Sequence, residues 1–168
     1  MMENKQFEES GYCFSFPTAQ NAVKADEKNY AQLSSVDFIV ETDSFFYFIE
    51  VKNGDTSQSR AESRIQFLDK LRNQNFPFDM VKKFSDTLMA RLAMGETFSK
   101  PIRYIYILEF SAFGSYERMK LFEKVNDRIP KGLKNEVFTK VNSIDGFDLL
   151  TVEKFKNEYP DFCVEPCC

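Results

Sequence analysis

Val36-Asp37-Phe38-Ile39-Val40-Glu41-Thr42-Asp43-Ser44-Phe45-Phe46-Tyr47-Phe48-Ile49-Glu50-Val51-Lys52 is the stretch on which the fold turns. Two runs rich in aromatic and β-branched residues flank the polar triplet Thr42-Asp43-Ser44. Such runs form strands and the triplet is a turn signal, so residues 36–52 read as a β-hairpin. A turn centred between Asp43 and Ser44 sets Thr42 opposite Phe45, Val40 opposite Tyr47 and Asp37 opposite Glu50. Facing residues of an antiparallel pair hold their Cβ atoms about 4.5–5.5 Å apart. Side chains alternate along a strand, so Lys52 shares the face of Glu50, and Asp37 joins that face through the register. Two carboxylates and one ammonium therefore converge inside strands that are otherwise nearly all apolar. Strands this hydrophobic are covered on both faces, where a charge is costly unless it is paired or bound to a metal.

Working outward, Asn53-Gly54 ends the second strand. Ala61, Ile65, Leu68 and Leu71 recur at helical spacing and predict a helix over 57–72. A second helix is expected over 79–94, capped by Asp79 and ended by Gly95. Residues 102–110 read as a strand, 116–128 as a helix stopped by Pro130, and 136–141 as a further strand. Thr151 caps a last short helix reaching Glu158, and Asp145-Gly146 reads as a turn. Upstream, Cys13-Phe14-Ser15-Phe16 is a short strand before Pro17, and 19–33 is a short helix or a long loop. Residues 1–11 are expected to fray or to form one short helical turn, and 161–168 to fray. The order β-β-β-α-α-β-α-β-α, in a chain of 168 residues, fits one α/β domain over 1–168 with a mixed central β-sheet flanked by helices.

Composition removes several chemistries. There is no His, which excludes imidazole bases, Ser-His-Asp and Cys-His catalysis, and His metal ligands. A net charge of −4 argues against a broadly basic nucleic-acid binder but leaves room for a local basic face. Zinc would need all four thiolates of Cys13, Cys163, Cys167 and Cys168, whose spacing lacks paired CxxC knuckles. Free thiols suit a reducing cytoplasm, and a cytoplasmic location is the expectation. The N-terminus is polar and does not read as a signal peptide, so none is expected. No apolar run approaches ~18 residues, so no membrane span is expected.

The converging trio has a chemistry that needs no His. Adjacent carboxylates repel, and a hard divalent cation, Mg²⁺ or Mn²⁺, relieves that repulsion through oxygen ligands. Asp37, Glu50 and the backbone carbonyl of Val51 supply three. Such a cation lowers the pKa of a bound water. Lys52 would orient that water or stabilise an anionic transition state.

Asp37, twelve intervening residues, then Glu50-Val51-Lys52 resembles the signature of the PD-(D/E)xK nuclease superfamily. The motif occupies residues 36–52, with Val36 where the pattern has Pro. The resemblance implies a restriction-endonuclease-like mixed sheet and a metal-dependent nuclease that hydrolyses phosphodiester bonds, in DNA more than RNA. Asp37, Glu50 and Lys52 would be its catalytic residues. It also implies an upstream acid, for which Glu27 and Asp26 come first and Glu8 and Glu9 next. The same tripeptide pattern recurs at Glu3-Asn4-Lys5 and Asp26-Glu27-Lys28, both in polar settings. On the two helices after the hairpin, Arg60, Arg64, Lys82 and Lys83 would form a phosphate-contacting rim. The rival reading is solvated helix faces, given the interspersed Glu62, Asp69 and Asp86. Glu41 is an accessory ligand or a strand-end surface charge, while Tyr104 and Tyr106 read as packing or, alternatively, as lining a groove. The alternative function is a catalytically inactive binding or assembly module. A domain of this size would grip a duplex as a homodimer or with a protein partner.

Overall fold

The computed structural model describes residues 5–27, 32–56, 60–131 and 139–168. The hairpin read from the sequence forms the middle of the molecule: β4 (Phe38–Glu41) pairs antiparallel with β5 (Phe46–Asn53). Its register sets Val40 against Tyr47 and Phe38 against Ile49, as the centred turn requires. Thr42 N–H closes the turn on Phe45 O at 2.9 Å.

Around this pair stands a five-stranded mixed sheet, flanked by four helices among the described residues. Its order is β3-β4-β5-β6-β7, with β3 at Asn21–Lys24, β6 at Ile102–Glu109 and β7 at Ile144–Leu150. β3, β4 and β5 run antiparallel, and β6 and β7 continue parallel to β5. Parallel neighbours need crossovers, and helices supply them. α1 (Ala61–Arg72) and α2 (Phe76–Ala93) lead from β5 to β6, and α3 (Ser115–Asn126) from β6 to β7. A second, three-stranded sheet has the order β1-β2-β8, with β1 at Gln6–Glu9, β2 at Tyr12–Ser15 and β8 at Cys163–Pro166. α4 (Val152–Glu158), capped by the Thr151 hydroxyl on Lys154 N–H at 3.3 Å, precedes β8.

Two cores explain why β5 and β6 are apolar on both faces. Phe48, Phe84, Phe98 and Tyr104 fill one core, towards α1–α3. Phe14, Phe38, Ile49, Ile105 and Phe155 fill the other, under the small sheet and α4. Burying each such ring is worth about 1.5–3 kcal/mol, so the many phenylalanines are the substance of both cores. Tyr104 is packing, as read, with its hydroxyl donating to Met80 O at 3.1 Å.

Residues 5–11 and 161–168 depart from the expected fraying, and residues 1–4 lie outside the described residues. Ser10 and Gly11, with φ of 53° and 82°, form the two-residue turn that joins β1 to β2. Positive φ at both positions gives the mirror-image turn that matches strand twist. Phe7, Phe14 and Val164 anchor this sheet in the second core. Cys13 and Cys167 are disulfide-bonded, with Cα atoms 5.1 Å apart, so the four thiols are not all free and the argument from them to a reducing compartment falls away. Cys163 and Cys168 are free and exposed.

Further differences are local. Residues 21–24 are strand, because Ala22 and Val23 alternate against β4. α2 starts at Phe76 and not at Asp79, since Pro77 fits a first turn where its missing N–H costs nothing. Asp145-Gly146 lies within β7, beside a register irregularity at Ile102–Arg103. Glycine marks the bulge there, and Asp145 pairs with Arg103. Of the strand expected at 136–141, residues 136–138 lie outside the described residues, while 139–140 are a turn and Val141 makes only an isolated bridge to Phe98. Residues 57–59 of the first expected helix also lie outside them. No helix among the described residues is long and apolar enough to cross a membrane.

The Cys13–Cys167 bond closes a loop over a separation of 154 residues. Its reduction is therefore expected to lower unfolding stability by roughly 2–5 kcal/mol, read in urea denaturation with and without reductant. In the unreduced protein, thiol titration should count two reactive groups, Cys163 and Cys168.

Candidate active site

The β4–β5 ladder stops at Phe38 and Ile49, and one step further the same register brings Asp37 across from Glu50. Beyond the ladder, the backbone of Val51 lacks a β4 partner. Its N–H donates instead to Asp37 Oδ2 at 2.7 Å. Its carbonyl accepts from Ser10 Oγ at 3.3 Å and from Lys52 Nζ at 3.2 Å. Asp37 is 3% exposed and Glu50 is fully buried. Glu50 Oε1 takes the Lys52 ammonium at 2.6 Å and also that of Lys83 from α2. Glu50 Oε2 is buried and has no hydrogen-bond partner among the described residues.

The small sheet adds a second group of acids. The Ser10-Gly11 turn is pinned to the end of β5 by Asn53 Nδ2, which donates to Ser10 O at 3.1 Å. This carries Glu9 to the site. Carboxylate oxygens of Glu9, Asp26 and Asp37 lie within 4.8 Å of one another. Lys24 Nζ pairs with Glu9 Oε2 at 3.0 Å. Asp37 thus joins two clusters, Glu50 with its lysines on one side and Glu9 with Asp26 on the other.

Four carboxylates face three ammonium groups here, and burial, more than charge, displaces the pKa of the acids. Burial pushes the Asp37 carboxyl up to about 7, and the charge of Glu50 adds to it; Lys52 and the Val51 N–H oppose. Burial also raises Asp26, with Lys24 opposing and Glu9 and Glu50 adding. For Lys52, burial alone would favour the neutral amine, but Glu50 and Asp37 outweigh it and raise its pKa. Lys52 therefore remains an ammonium at neutral pH. Oxygen-only donors, an excess of negative charge and an unpartnered buried carboxylate oxygen together suit a hard divalent cation.

Beside Glu50, a cleft of about 240 Å³ is lined by Lys52, Lys70, Lys82 and Lys83, with Tyr106 and Asp79. This is a local basic face on an acidic chain.

The structure gathers Asp37, Glu50, Val51 and Lys52, the residues read from the hairpin. It does not bring Glu27 to them. Glu27 is exposed and lines a separate depression with Lys5, Val23 and Arg91, while its neighbour Asp26 faces the acids. Lys83 enters the site, and Lys82 lines the cleft while paired with Asp86. Arg64 turns away, paired with Asp55 at 3.0 Å and lying 5.3 Å from the Phe110 ring centroid. Arg60 is exposed just before α1. Glu41 pairs with Lys100 at 2.7 Å and belongs to the strand end. Glu9 ranked behind Glu27 in the sequence because residues 1–11 read as frayed; the Ser10-Gly11 dipeptide between Gln6–Glu9 and Tyr12–Ser15 was the available signal.

Comparisons with protein-family models, with curated proteins and with solved structures return no match.

The raised Asp37 pKa sets a sign for stability. Its carboxyl goes from about 7 in the folded chain to near its ordinary 3.8 on unfolding. The folded state therefore holds the extra proton between those values, and this contribution is full below about pH 4 and lost as pH rises through about 7. In chelator-treated buffer, Asp37→Asn should match the wild type near pH 4 and exceed it near pH 8 by on the order of 1–3 kcal/mol, measured by urea denaturation.

Proposed function

We propose that the protein is a metal-dependent nuclease that hydrolyses phosphodiester bonds in nucleic acid, DNA more than RNA, at the Asp37–Glu50–Lys52 site. The observation that carries this reading is the shared face of those three side chains, with Lys52 on Glu50 and Asp37 directly across the hairpin. Mg²⁺ or Mn²⁺ held by Asp37 with Glu50, Glu9 or Asp26 would acidify a bound water and neutralise phosphate charge.

The remaining work falls to the chain itself. Water attacks phosphorus while the ester P–O bond breaks, giving a phosphate monoester and a hydroxyl. Charge builds on the phosphoryl oxygens, and Lys52, locked as an ammonium between Glu50 Oε1 and Val51 O, is aimed to stabilise it. Its raised pKa argues for this role over proton abstraction. Lys70, Lys82 and Lys83 in the cleft would draw the phosphate backbone towards Glu50. Gripping a duplex would call for a homodimer or a protein partner.

One observation favours the rival reading of an inactive binding or assembly module. Glu50 Oε1 already takes two ammonium groups, so the pair can be satisfied without a cation.

With Mg²⁺ or Mn²⁺, cleavage of single- and double-stranded DNA is expected, and Glu50→Ala and Lys52→Ala should each slow it by about 10²-fold or more. Glu9→Ala should impair it and Glu27→Ala should not. Equal cleavage by Lys52→Ala would refute the mechanism, and silence in both cleavage and Mn²⁺ calorimetry would leave the inactive module.

A further inference from the structure

We propose that the protein carries a second ligand site, for a small organic ammonium cation, at the end of β5 remote from Glu50. A cavity of about 410 Å³ lies between the β4–β5 turn and the segment joining α4 to β8. Its size is typical of small-molecule sites. Phe45, Tyr47 and Tyr159, all half-buried, form its walls, and Asp43, Glu158 and Asp161, all exposed, stand at its rim. No Lys or Arg lines it.

The walls are rigid. Tyr47 meets Phe45 with ring centroids 5.7 Å apart and Tyr159 edge-on at 5.6 Å. Tyr159 stacks on buried Phe162 at 6.0 Å. Its hydroxyl donates to Asp148 Oδ2 at 2.5 Å and accepts from Arg103 Nε at 3.0 Å, so the ring is held at its face and at its hydroxyl. Arg103 is itself fixed by Asp148 and Asp145. The Tyr47 hydroxyl, by contrast, makes no hydrogen bond among the described residues.

The chemistry of this lining selects its occupant. Aromatic faces carry negative potential and attract cations. The three carboxylates add to that field, and Glu158 and Asp161 have no ion-pair partner among the described residues. An anion would meet three carboxylates with no Lys or Arg in the lining to offset them. A bare metal ion is also poorly served, because the only acid group that converges to ligand spacing among the described residues is Glu9, Asp26 and Asp37. What remains is a cation with an apolar skin, whose methyl or methylene groups pack on rings while its charge faces carboxylates. The site is independent of the acidic one. Tyr47 and Lys52 are five residues apart on β5 and therefore project from opposite faces.

Calorimetry on the full chain tests this, with tetramethylammonium chloride and spermidine as probes. Saturable one-site heat from either probe is expected. Phe45→Leu and Asp161→Asn, both at exposed or half-exposed positions, should each weaken binding about five-fold or more while leaving thermal unfolding and Mn²⁺ heat unchanged. Absence of saturable heat in the millimolar range from both probes would overturn the proposal, as would wild-type affinity in the two variants. Because neither residue touches the acidic site, these outcomes do not depend on nuclease activity.

Discussion

A glutamate with no solvent exposure, set in the central strand of a five-stranded sheet, is the constraint around which this protein is arranged. Taking a carboxylate out of water costs several kcal/mol unless charge and hydrogen bonds replace what is lost. Here the compensation comes from Lys52 two residues along the same strand and Lys83 one layer above. Both reach the same oxygen. The other oxygen has no hydrogen-bond partner among the described residues, and Asp37 across the hairpin is a second carboxyl, raised by burial and by the charge of Glu50. The two lysines meet the charge of Glu50 at one oxygen only, and the proposed cation would act at the other.

The rest of the architecture serves that spot. The β4–β5 ladder ends one step short of Asp37, which frees the Val51 N–H for its carboxylate. The small sheet, stapled through Cys13 and Cys167, delivers Glu9 by way of a turn tied to Asn53. α2 delivers Lys83 and, with Lys70 of α1, surrounds Glu50 with a basic cleft on a chain of net charge −4. The acids Glu9, Asp26 and Asp37 thus lie on one side of Glu50 and the lysine-lined cleft on the other. At the far end of β5 the pattern inverts, with aromatic walls and carboxylates but no lysine or arginine.

How much of this was legible in the sequence depended on distance along the chain. The β4–β5 register followed from a turn triplet and the period-two pattern, and it placed Asp37, Glu50 and Lys52 on one face. The helices after β5 showed in their apolar spacing. What escaped was short and cross-linked over long separations. β1 and β8 have four residues each, too few for periodicity, and they are held by Phe7, Val164 and a bond between Cys13 and Cys167. The Ser10-Gly11 turn is a local signal for β1 with β2, and nothing local announces the pairing of β2 with β8. Glu27 looked as good as Asp26 because two adjacent residues after an unrecognised strand give no clue to which one turns inward. Asp145-Gly146 carried a turn signature, and pairing with β6 turned it into a bulge.

The most direct measurement is the anomalous difference density of a crystal grown or soaked with Mn²⁺. A cation on the Asp37 carboxylate, joined by Glu50 or by Glu9 and Asp26, is the result this account predicts. A crystal in which Asp37 stays bound only to the Val51 N–H, Glu50 stays with Lys52 and Lys83, and manganese is absent from the site would contradict it.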